Sequence, residues 1–546
     1  MIVAETASWS RRHSQAFAAT VAAIALVPWT VRHWPSQDGP NHLAVAHVLA
    51  TYADPGSAFP RYLSIQTGFR PSTALYAILC AAGRFVPLEI AEKCLVSLAL
   101  VLLPVSVLLF VRRAVPRRSA NVLLAMPFVL GWAFAMGFLS FQLGLGLGVV
   151  ALALAWEPRS PPGRGVGIAW RHGLASLAYF LSVWFHPVVA LITGLALVLL
   201  EGKKLLRWSE WPRVLVVVGP AAAFLVLSYF AADPGPSTRL VPPKTHFSDP
   251  VSVLGAAFEY NIGYSPFELV PRIAALALIV PFVYRSLRAH APWRAGPEAA
   301  VGRLVVALVV LYCVMPGTLA DWYYCSARFL VYAWLLLPVA AELPARIVRR
   351  LPVVGPVLAG AVLAIQWPVI HRDSRQMQDV LDVGSSLPRG ARLVPLAFEL
   401  SVLGPQPVGA AWGELVVGRD AVVSQLFASG RPRMGGERFR TLTFRPGVLD
   451  EESGTLPWSG AEMSDVWRPC ADPRSPERWF VHVDGSCADA LAARKRELDE
   501  VIDRYDYVLM LGPSRYGQEL MASRLHLVRE SGSARMYAVV HADPPG

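Results

Sequence analysis

Directly after its first long apolar run, the chain reads Trp34-Pro35-Ser36-Gln37-Asp38-Gly39-Pro40-Asn41-His42. This stretch places a carboxylate, an amide and an imidazole at a membrane boundary, and its Gly-Pro pair breaks any helix and favours a turn. An acid at such a boundary needs solvation or a partner. Two interpretations of Asp38 follow. Its side chain caps a helix that begins near Asn41, or it is the base of a catalytic site.

The composition indicates a membrane protein with several spans. Of the 546 residues, 54% are hydrophobic and only 16% are charged, and the mean hydropathy is +0.43, which is typical of polytopic membrane proteins. The formal net charge of +11 fits basic cytoplasmic loops, because Lys and Arg concentrate there. The Arg residues form short clusters between apolar runs rather than one polar basic face, so we expect no nucleic acid partner.

The six cysteines show no Cys-x-x-Cys spacing, so the sequence does not predict a structural zinc site. Cys470 and Cys487 lie in the polar C-terminal part of the chain. If that part faces an oxidising compartment, we expect the two to form a disulfide bond. Two free buried thiols are the alternative.

Basic residues set the predicted topology at the N-terminus. Arg11 and Arg12 precede the first span, residues 15–33, so we expect the N-terminus in the cytoplasm and an uncleaved first helix. The stretch around Asp38 then opens a first outer loop, residues 34–71. Within this loop, apolar residues recur at helical spacing from 41 to 50, which predicts helices lying on the membrane surface.

The following spans are predicted from apolar runs and from the basic clusters between them. Residues 72–88 contain Arg84 and Pro87 and predict a re-entrant or interfacial segment. The other predicted spans are 93–111, 119–136, 139–157, two short spans within 172–200 that turn at His186, 213–231, 268–284, 301–318, 328–345 and 353–370. Together they make about 11 crossings at roughly 20 residues each. An odd number of crossings places the C-terminus outside.

A change of composition at residue 371 divides the chain into two predicted domains. Residues 1–370 form the transmembrane domain. Residues 371–546 carry more charge and no long apolar run, and they predict a small extracytoplasmic α/β domain. Its predicted strands are 391–398, 477–483, 506–511, 524–529 and 535–540, and its predicted charged helix is 486–503.

The predicted topology collects polar side chains from separate segments on the outer face. The candidate catalytic residues are Asp38 and His42, and the candidate substrate-binding residues are Asn41, His186, Asp321 and Arg328. Convergence of ionisable groups on one face is what an active site at a membrane surface needs. Loop residues are often simply solvated, and Asp321 with Arg328 is also compatible with an interfacial ion pair flanking an aromatic belt.

Recognised motifs of soluble enzymes are absent from the sequence. We find no GxGxxG, no Walker GKS/T, no HExxH, and no GxSxG in a strand-turn-helix context. The glycines of Gly144-Leu145-Gly146-Leu147-Gly148 lie inside a predicted span, where they favour close helix packing rather than phosphate binding.

An acid on the first outer loop, directly after the first span, followed by about ten more spans and a C-terminal α/β domain, resembles the GT-C type glycosyltransferases. The stretch Gln37-Asp38-Gly39-Pro40-Asn41-His42 is similar to the Asp-x-x-x-His openings of uncharacterised bacterial members. The resemblance implies a polyprenyl-phosphate sugar as donor, a glycan or protein acceptor, and contact with membrane lipid. It also implies that Asp38 activates the acceptor or holds a divalent metal ion. The second acidic motif of better-known families is missing, unless Asp321 or Glu259 takes its place.

Two other function classes remain compatible with the sequence. A transporter needs ionisable groups at mid-membrane and often has inverted repeats, whereas here the polar residues gather at one surface and no repeat is visible. A non-catalytic envelope assembly protein with a GT-C-like fold would show much the same pattern. In each case the expected location is the inner (plasma) membrane.

The topology predicts that a reporter fused after Gly546 is active only outside the cytoplasm. The reason is the placement of the basic clusters 112–118, 203–207 and 346–350 on the inner side. A paired alkaline phosphatase and green fluorescent protein fusion at this position measures it. Fluorescence without phosphatase activity would contradict the predicted topology.

Overall fold

The structure is a computed structural model of the whole chain. It describes residues 9–65, 70–156, 166–201, 207–231, 247, 250–289, 296–319, 324–397, 405, 408, 410–423, 428–429, 442–445, 502–511 and 524–541. Several predicted features lie outside these residues: the strand 477–483, the helix 486–503 except for its last two residues, the Cys470–Cys487 bond and Asp321.

Helices dominate the first two thirds of the chain. In chain order they are Arg11–Leu26 (α1), Gly39–Thr51 (α2), Phe59–Tyr62 (α3), Ala74–Ala82 (α4), Leu88–Ala114 (α5), Trp132–Ala135 (α6), Leu139–Ala155 (α7), Val166–Phe185 (α8), Pro187–Glu201 (α9), Trp211–Ala231 (α10), Pro250–Glu259 (α11), Leu269–Ala289 (α12), Pro297–Val314 (α13), Cys325–Ala340 (α14), Ala345–Val348 (α15) and Leu351–Gly384 (α16). Short 3-10 helices cover Val27–Thr30, Trp208–Glu210 and Pro266–Glu268, and a longer one covers Pro116–Phe128.

Several of these helices can cross a membrane. In the described chain, five are long and apolar enough: Leu88–Ala114, Trp211–Ser228, Pro266–Ala289, Pro297–Val314 and Leu351–Gly384. Three apolar helices are shorter: Leu139–Ala155, Pro187–Glu201 and Cys325–Ala340. The protein is therefore a polytopic helical membrane protein. The number of crossings, about 11, stays a prediction.

The glycines of α7 allow its neighbours to approach closely, as the sequence predicted. A Cβ atom on Gly144 would lie 3.0 Å from the Ser182 carbonyl oxygen of α8, and one on Gly146 would lie 2.6 Å from the Leu102 side chain of α5. On Gly148 it would lie 2.4 Å from Oγ1 of Thr193 in α9. Helix α7 therefore sits at the centre of a tightly packed group of helices.

One predicted span differs from the observed elements, and two other predictions agree with them. The span predicted over 119–136 is not one helix, because it consists of the 3-10 helix Pro116–Phe128 and the short α6. Pro116 and Pro127 lack backbone donors, which disfavours a continuous α-helix there. The region predicted over 172–200 breaks at His186, between α8 and α9, as expected. Helix α4 has nine residues, too few to cross a bilayer alone, which agrees with the interfacial prediction for 72–88.

The prediction of a helix on the membrane surface after Asp38 is wrong. Helix α2 has buried side chains on opposite sides, and Leu43, Ala44, Val45, Ala46 and Val48 are each at most 1% exposed. Leu43 and Ala46 belong to the large core of the membrane helices, whereas Ala44, Val45 and Val48 belong to the core of the C-terminal domain. The helix is therefore enclosed between the two parts of the protein. Its apolar residues cover both sides for that reason.

A small α/β domain follows the last long helix. Its strands are Arg392–Ala397 (β2), Val422–Val423 (β3), Tyr507–Leu511 (β6), Leu525–Ser531 (β7) and Ala534–Val539 (β8), arranged in the order β3-β2-β6-β8-β7. Strand β2 pairs in parallel with β3 and β6, and β8 pairs antiparallel with β6 and β7. Helix Gly413–Arg419 (α17) and the end of α16 contribute to the same core. Four strands agree with or overlap the predicted ones, at 391–398, 506–511, 524–529 and 535–540.

The first loop and the C-terminal domain are joined in two ways. Leu63–Ile65 (β1) pairs antiparallel with Leu442–Phe444 (β5), which pairs in turn with Ala428–Ser429 (β4). Helix α17 packs on α2 so closely that a Cβ atom on Gly413 would lie 2.3 Å from the Pro40 carbonyl oxygen. The loop that carries Asp38 is thus held by the C-terminal domain. Helix α16 runs across the predicted boundary at residue 370 and so connects the two parts without a linker.

Replacing Gly413 by Ala should separate α17 from the start of α2, because no side chain fits against the Pro40 carbonyl. We expect destabilisation by about 1–3 kcal/mol, as is usual for overpacking, and faster amide exchange in α2. Thermal denaturation and hydrogen exchange of the detergent-purified chain measure both effects. Gly418→Ala in the same helix is the control, because a Cβ atom there has no neighbour within 4 Å. Equal behaviour of the two variants would contradict this packing.

Candidate functional site

Backbone pairing holds the Asp38 turn against the loop before α7. The N–H of Gln37 donates to the Ala135 carbonyl (2.8 Å), and the N–H of Asp38 donates to the Met136 carbonyl (3.0 Å). Gly137 follows with φ +78°, and a Cβ atom on it would lie 2.7 Å from the Gly39 backbone nitrogen. Only glycine permits this approach in that conformation.

Asp38 occupies the position before α2, and its side chain does not cap the helix. The Asp38 carbonyl accepts the first helical hydrogen bond from the His42 N–H at 3.0 Å, but the side chain makes no capping hydrogen bond. The carboxylate is half-buried. It lies within electrostatic range of Arg328. The helix-capping interpretation of Asp38 is therefore not what the structure shows.

Arg328 lies in the first turn of α14 and is 8% exposed. Its guanidinium group lies over the rings of Phe138 (5.0 Å) and Phe141 (5.7 Å), and it interacts with the Cys325 thiol. Its Nε and Nη1 atoms are buried and have no hydrogen-bond partner in the described chain. A buried cation with unused donors is costly, so this group is prepared to bind an anion.

His186 brings a third element to the same neighbourhood. It lies at the break between α8 and α9, and its ring packs edge-on against Phe141 at 5.7 Å. Its Nδ1 accepts a hydrogen bond from the Val188 N–H at 3.3 Å, which places the proton of a neutral ring on Nε2. Arg328 and His42 are both within electrostatic range of this ring.

His42 lies one turn after Asp38 and shares a hydrogen bond with Tyr76. The distance from Nδ1 to the Tyr76 hydroxyl is 3.0 Å. Burial lowers the pKa of His42 to about 4, so the ring is neutral at neutral pH. In that state His42 can accept or donate a hydrogen bond but adds no positive charge. Asn41, just before it, is 4% exposed, and its Oδ1 has no hydrogen-bond partner among the described residues.

The structure thus brings four of the six predicted site residues together, namely Asp38, His42, His186 and Arg328. Asn41 lies beside them in sequence, and Asp321 lies outside the described residues. Sequence reasoning missed Tyr76, Phe138 and Phe141, because aromatic residues within apolar segments carry no signal that separates a site from a core. The described residues contain no group of three or more His, Cys, Asp or Glu side chains that could hold a metal ion. The divalent metal stays a prediction.

Two buried carboxyl groups lie behind the Asp38 turn and were also missed. Glu92 of α5 is 5% exposed, and a Cβ atom on Gly39 would lie 2.6 Å from its Oε1. Glu414 of α17 is 2% exposed. Neither carboxyl group hydrogen-bonds to a described residue. An acid inside an apolar run was the one available signal for Glu92.

Burial, followed by the charge of Glu89, raises the pKa of Glu414 to about 8. The carboxyl group of an unfolded chain has a pKa near 4.3. Between these values the folded protein binds the additional proton, so this group lowers stability progressively as pH rises through that range. Glu414 is accordingly mostly neutral in the folded protein at pH 7.

Glu414→Gln should remove this pH dependence, because an amide stays neutral. We expect the thermal midpoint of the variant to match the wild type near pH 4.5 and to exceed it by a few degrees at pH 9. Thermal scans of both proteins between pH 4.5 and 9 measure the difference. Glu530→Gln, at an exposed carboxylate of the same domain, is the control. A difference that is independent of pH would contradict the assignment to a titrating Glu414.

Comparisons with known proteins bear on the fold. No family profile and no curated protein matches the sequence. The structure of ArnT from Cupriavidus metallidurans bound to undecaprenyl phosphate matches with a TM-score of 0.56 and 12% identity, covering 96% of this chain and 97% of that chain. The apo state of that protein matches with a TM-score of 0.55 and 14% identity, and it covers the same fractions of both chains. The chain therefore shares the fold of ArnT over nearly its whole length, in agreement with the fold that the resemblance implied.

Proposed function

We propose that this protein transfers a sugar from a polyprenyl-phosphate donor to an envelope acceptor at the outer face of the inner membrane. The observation that carries the proposal is Arg328, a buried guanidinium group whose Nε and Nη1 have no hydrogen-bond partner among the described residues and which lies within electrostatic range of Asp38. A phosphate matches this buried cation in charge, and its oxygens can accept from either nitrogen. The GT-C-like fold, found also in a protein solved with undecaprenyl phosphate, supports the same ligand class.

The chemistry follows from the two charged groups. The bond between the anomeric carbon and the phosphate oxygen breaks, and the phosphate leaves with the electron pair. Arg328 stabilises the negative charge that remains on the phosphate. An acceptor hydroxyl group forms the new bond to the anomeric carbon, and Asp38 takes its proton. The phosphate needs little acid assistance, because it is already a stable anion.

The remaining polar groups suit substrate hydroxyls. His186 offers an Nε2 proton when neutral, and Asn41 offers a buried oxygen acceptor. Neutral His42 adds no charge that would compete with Arg328 for the phosphate. No step of the proposed reaction uses a metal. A divalent metal held by Asp38, with Asp321 or Glu259 as the second acid, stays part of the family expectation.

The orientation of the protein belongs to the same proposal. With the N-terminus in the cytoplasm, Asp38 and the C-terminal domain face the extracytoplasmic side. The transporter and assembly-protein alternatives are not favoured, because the fold is that of membrane glycosyltransferases and the polar side chains cluster around one buried cation.

Asp38→Asn should abolish transfer while the protein stays folded, because an amide cannot take the acceptor proton but suits the turn as well as Asp. We expect kcat to fall by roughly 10²–10⁴-fold. The assay follows release of undecaprenyl phosphate from a panel of undecaprenyl phosphates that carry single sugars, with an envelope fraction as acceptor. Transfer within threefold of wild type would exclude Asp38 as the base.

Arg328→Ala separates phosphate binding from proton transfer when the affinity of the purified protein for bare undecaprenyl phosphate is measured directly. We expect it to weaken binding of bare undecaprenyl phosphate by about 10- to 100-fold, as expected for a lost charge-assisted hydrogen bond, whereas Asp38→Asn should leave that affinity nearly unchanged. Arg328→Lys is the matched control, because it keeps the charge and loses the planar guanidinium group with its separate donor nitrogens, so an intermediate affinity is expected. If Arg328→Ala binds the lipid as tightly as wild type does, the phosphate does not bind at Arg328.

A further inference from the structure

A small polar cavity lies beside α6, between helices α7 and α14. Its volume is about 20 Å³, and its wall includes Trp132, Gln142, Tyr260 and Trp334. Roughly 10–15 Å³ is enough for one water molecule, so the cavity has room for a single small polar group and not for a whole sugar ring. Tyr260 and Trp334 are only half-buried, which places the cavity at the edge of the packed core.

Two buried polar atoms on this wall have no hydrogen-bond partner among the described residues. One is Oε1 of Gln142, a residue that is 2% exposed, and the other is Nε1 of Trp334. Arg272 also lines the cavity, but its guanidinium group donates to backbone carbonyls and pairs with Glu268. The wall therefore calls for one donor, to Gln142, and one acceptor, from Trp334. Such atoms destabilise a folded protein unless a bound group satisfies them.

A hydroxyl group meets both needs. Its hydrogen donates to Gln142 Oε1, and its oxygen accepts from the indole N–H of Trp334. A carboxylate has no proton to donate, and an ammonium group has no lone pair with which to accept. A buried water molecule typically makes about three hydrogen bonds, more than these two atoms provide. The wall also carries the aromatic side chains of Trp132 and Tyr260, which suit the C–H groups next to a sugar hydroxyl.

Two ring contacts limit the distance from this cavity to Arg328. The Trp132 ring centroid lies 5.3 Å from that of Phe138, and the Arg328 Cζ atom lies 5.0 Å from the Phe138 centroid. The Trp132 ring is therefore at most about 10 Å from the guanidinium carbon. Gln142 directly follows Phe141, whose ring is 5.7 Å from the same carbon. A sugar attached to a phosphate at Arg328, or an acceptor glycan next to it, can span this distance.

We propose that Gln142 and Trp334 bind one hydroxyl group of a carbohydrate substrate; this inference rests on the proposed function. The hydroxyl group belongs either to the sugar of the lipid-linked donor or to the acceptor glycan, since both carry the same chemistry. A substrate with hydrogen in place of that hydroxyl group would leave both atoms unsatisfied, so the cavity contributes to specificity. Arg328 recognises the phosphate, whereas this cavity recognises the carbohydrate.

The experiment removes each hydrogen-bonding atom and keeps most of the side chain. Gln142→Leu loses the acceptor, and Trp334→Phe loses the N–H donor. Each variant should weaken recognition of the carbohydrate about tenfold, as expected when a buried polar group loses its hydrogen-bond partner. Binding of bare undecaprenyl phosphate to the purified full-length protein should stay unchanged, because that lipid carries no sugar.

Two readouts identify the source of the hydroxyl group. If the donor sugar occupies the cavity, the affinity for an undecaprenyl phosphate that carries glucose, galactose, mannose or arabinose falls. If the acceptor occupies it, the KM of the envelope acceptor rises and the donor affinity stays unchanged. Tyr332→Phe is the matched control, because it removes a buried hydroxyl group of α14 that also lacks a described partner but does not line the cavity. It should change neither readout.

Two results would overturn the inference. If both variants leave both readouts within twofold of wild type, the cavity binds no carbohydrate. If they weaken binding of the bare lipid as much as binding of the sugar-bearing lipids, they act through packing. Should Gln142→Leu not fold, Trp334→Phe decides alone, because it keeps an aromatic ring at that position.

The bare lipid also separates this inference from the proposed function. If wild type does not bind bare undecaprenyl phosphate, the proposed function fails, and this inference fails with it. If wild type binds that lipid, the results for the two variants concern the cavity alone.

Discussion

Two backbone hydrogen bonds determine the position of Asp38. Gln37 and Asp38 donate to consecutive carbonyls of the loop at 135–136. Because an unpaired buried backbone group costs about 1–3 kcal/mol, the turn cannot slide along that loop. The same loop continues through Gly137 into Phe138, whose ring lies against Arg328. Residues 135–138 therefore position Asp38 through backbone hydrogen bonds and Arg328 through the side chain of Phe138.

The second constraint is the enclosure of α2 between two cores. Its residues divide between the core of the membrane helices and the core of the C-terminal domain. Neither part buries the helix alone, so its position depends on both. The close approach of α17 to the Pro40 carbonyl and the pairing of β1 with β5 fix the domain on the loop. The domain thus contributes to the site by holding the element that follows Asp38.

The sequence was sufficient for the fold class and for much of the element order. Apolar runs and basic clusters predicted the membrane helices. The basic flanks of residues 172–200 predicted the turn at His186, and segments rich in Val, Leu and Tyr predicted four strands of the sheet. Prediction from the sequence failed where tertiary packing determines the local structure. Helix α2 is apolar on both sides because it has two partners, which a single-helix pattern cannot reveal. The 3-10 segment before α6 is buried among helices, which hydropathy does not separate from a span.

The candidate site shows the same division. Asp38, His42, His186 and Arg328 were identifiable as polar residues on outer segments, and the structure places them together. The aromatic residues that surround Arg328 were not identifiable, because Phe138 and Phe141 have the composition of any core. Glu414 was hidden as well, since its burial arises from contact with α2. The roles of such residues depend on their tertiary contacts, so they can be recognised only in the folded structure.

The pairing of β1 with β5 has a consequence for biosynthesis. The two strands are separated by most of the chain, so the loop that carries Asp38 emerges from the ribosome long before its partner strand exists. At about 5–20 residues per second, the interval is roughly 20–75 s. During that time the membrane helices insert while the acid-bearing loop lacks its final support. The segment around Asp38 is therefore among the last parts of the protein to acquire its final packing, although the helices on either side of it are already in the bilayer.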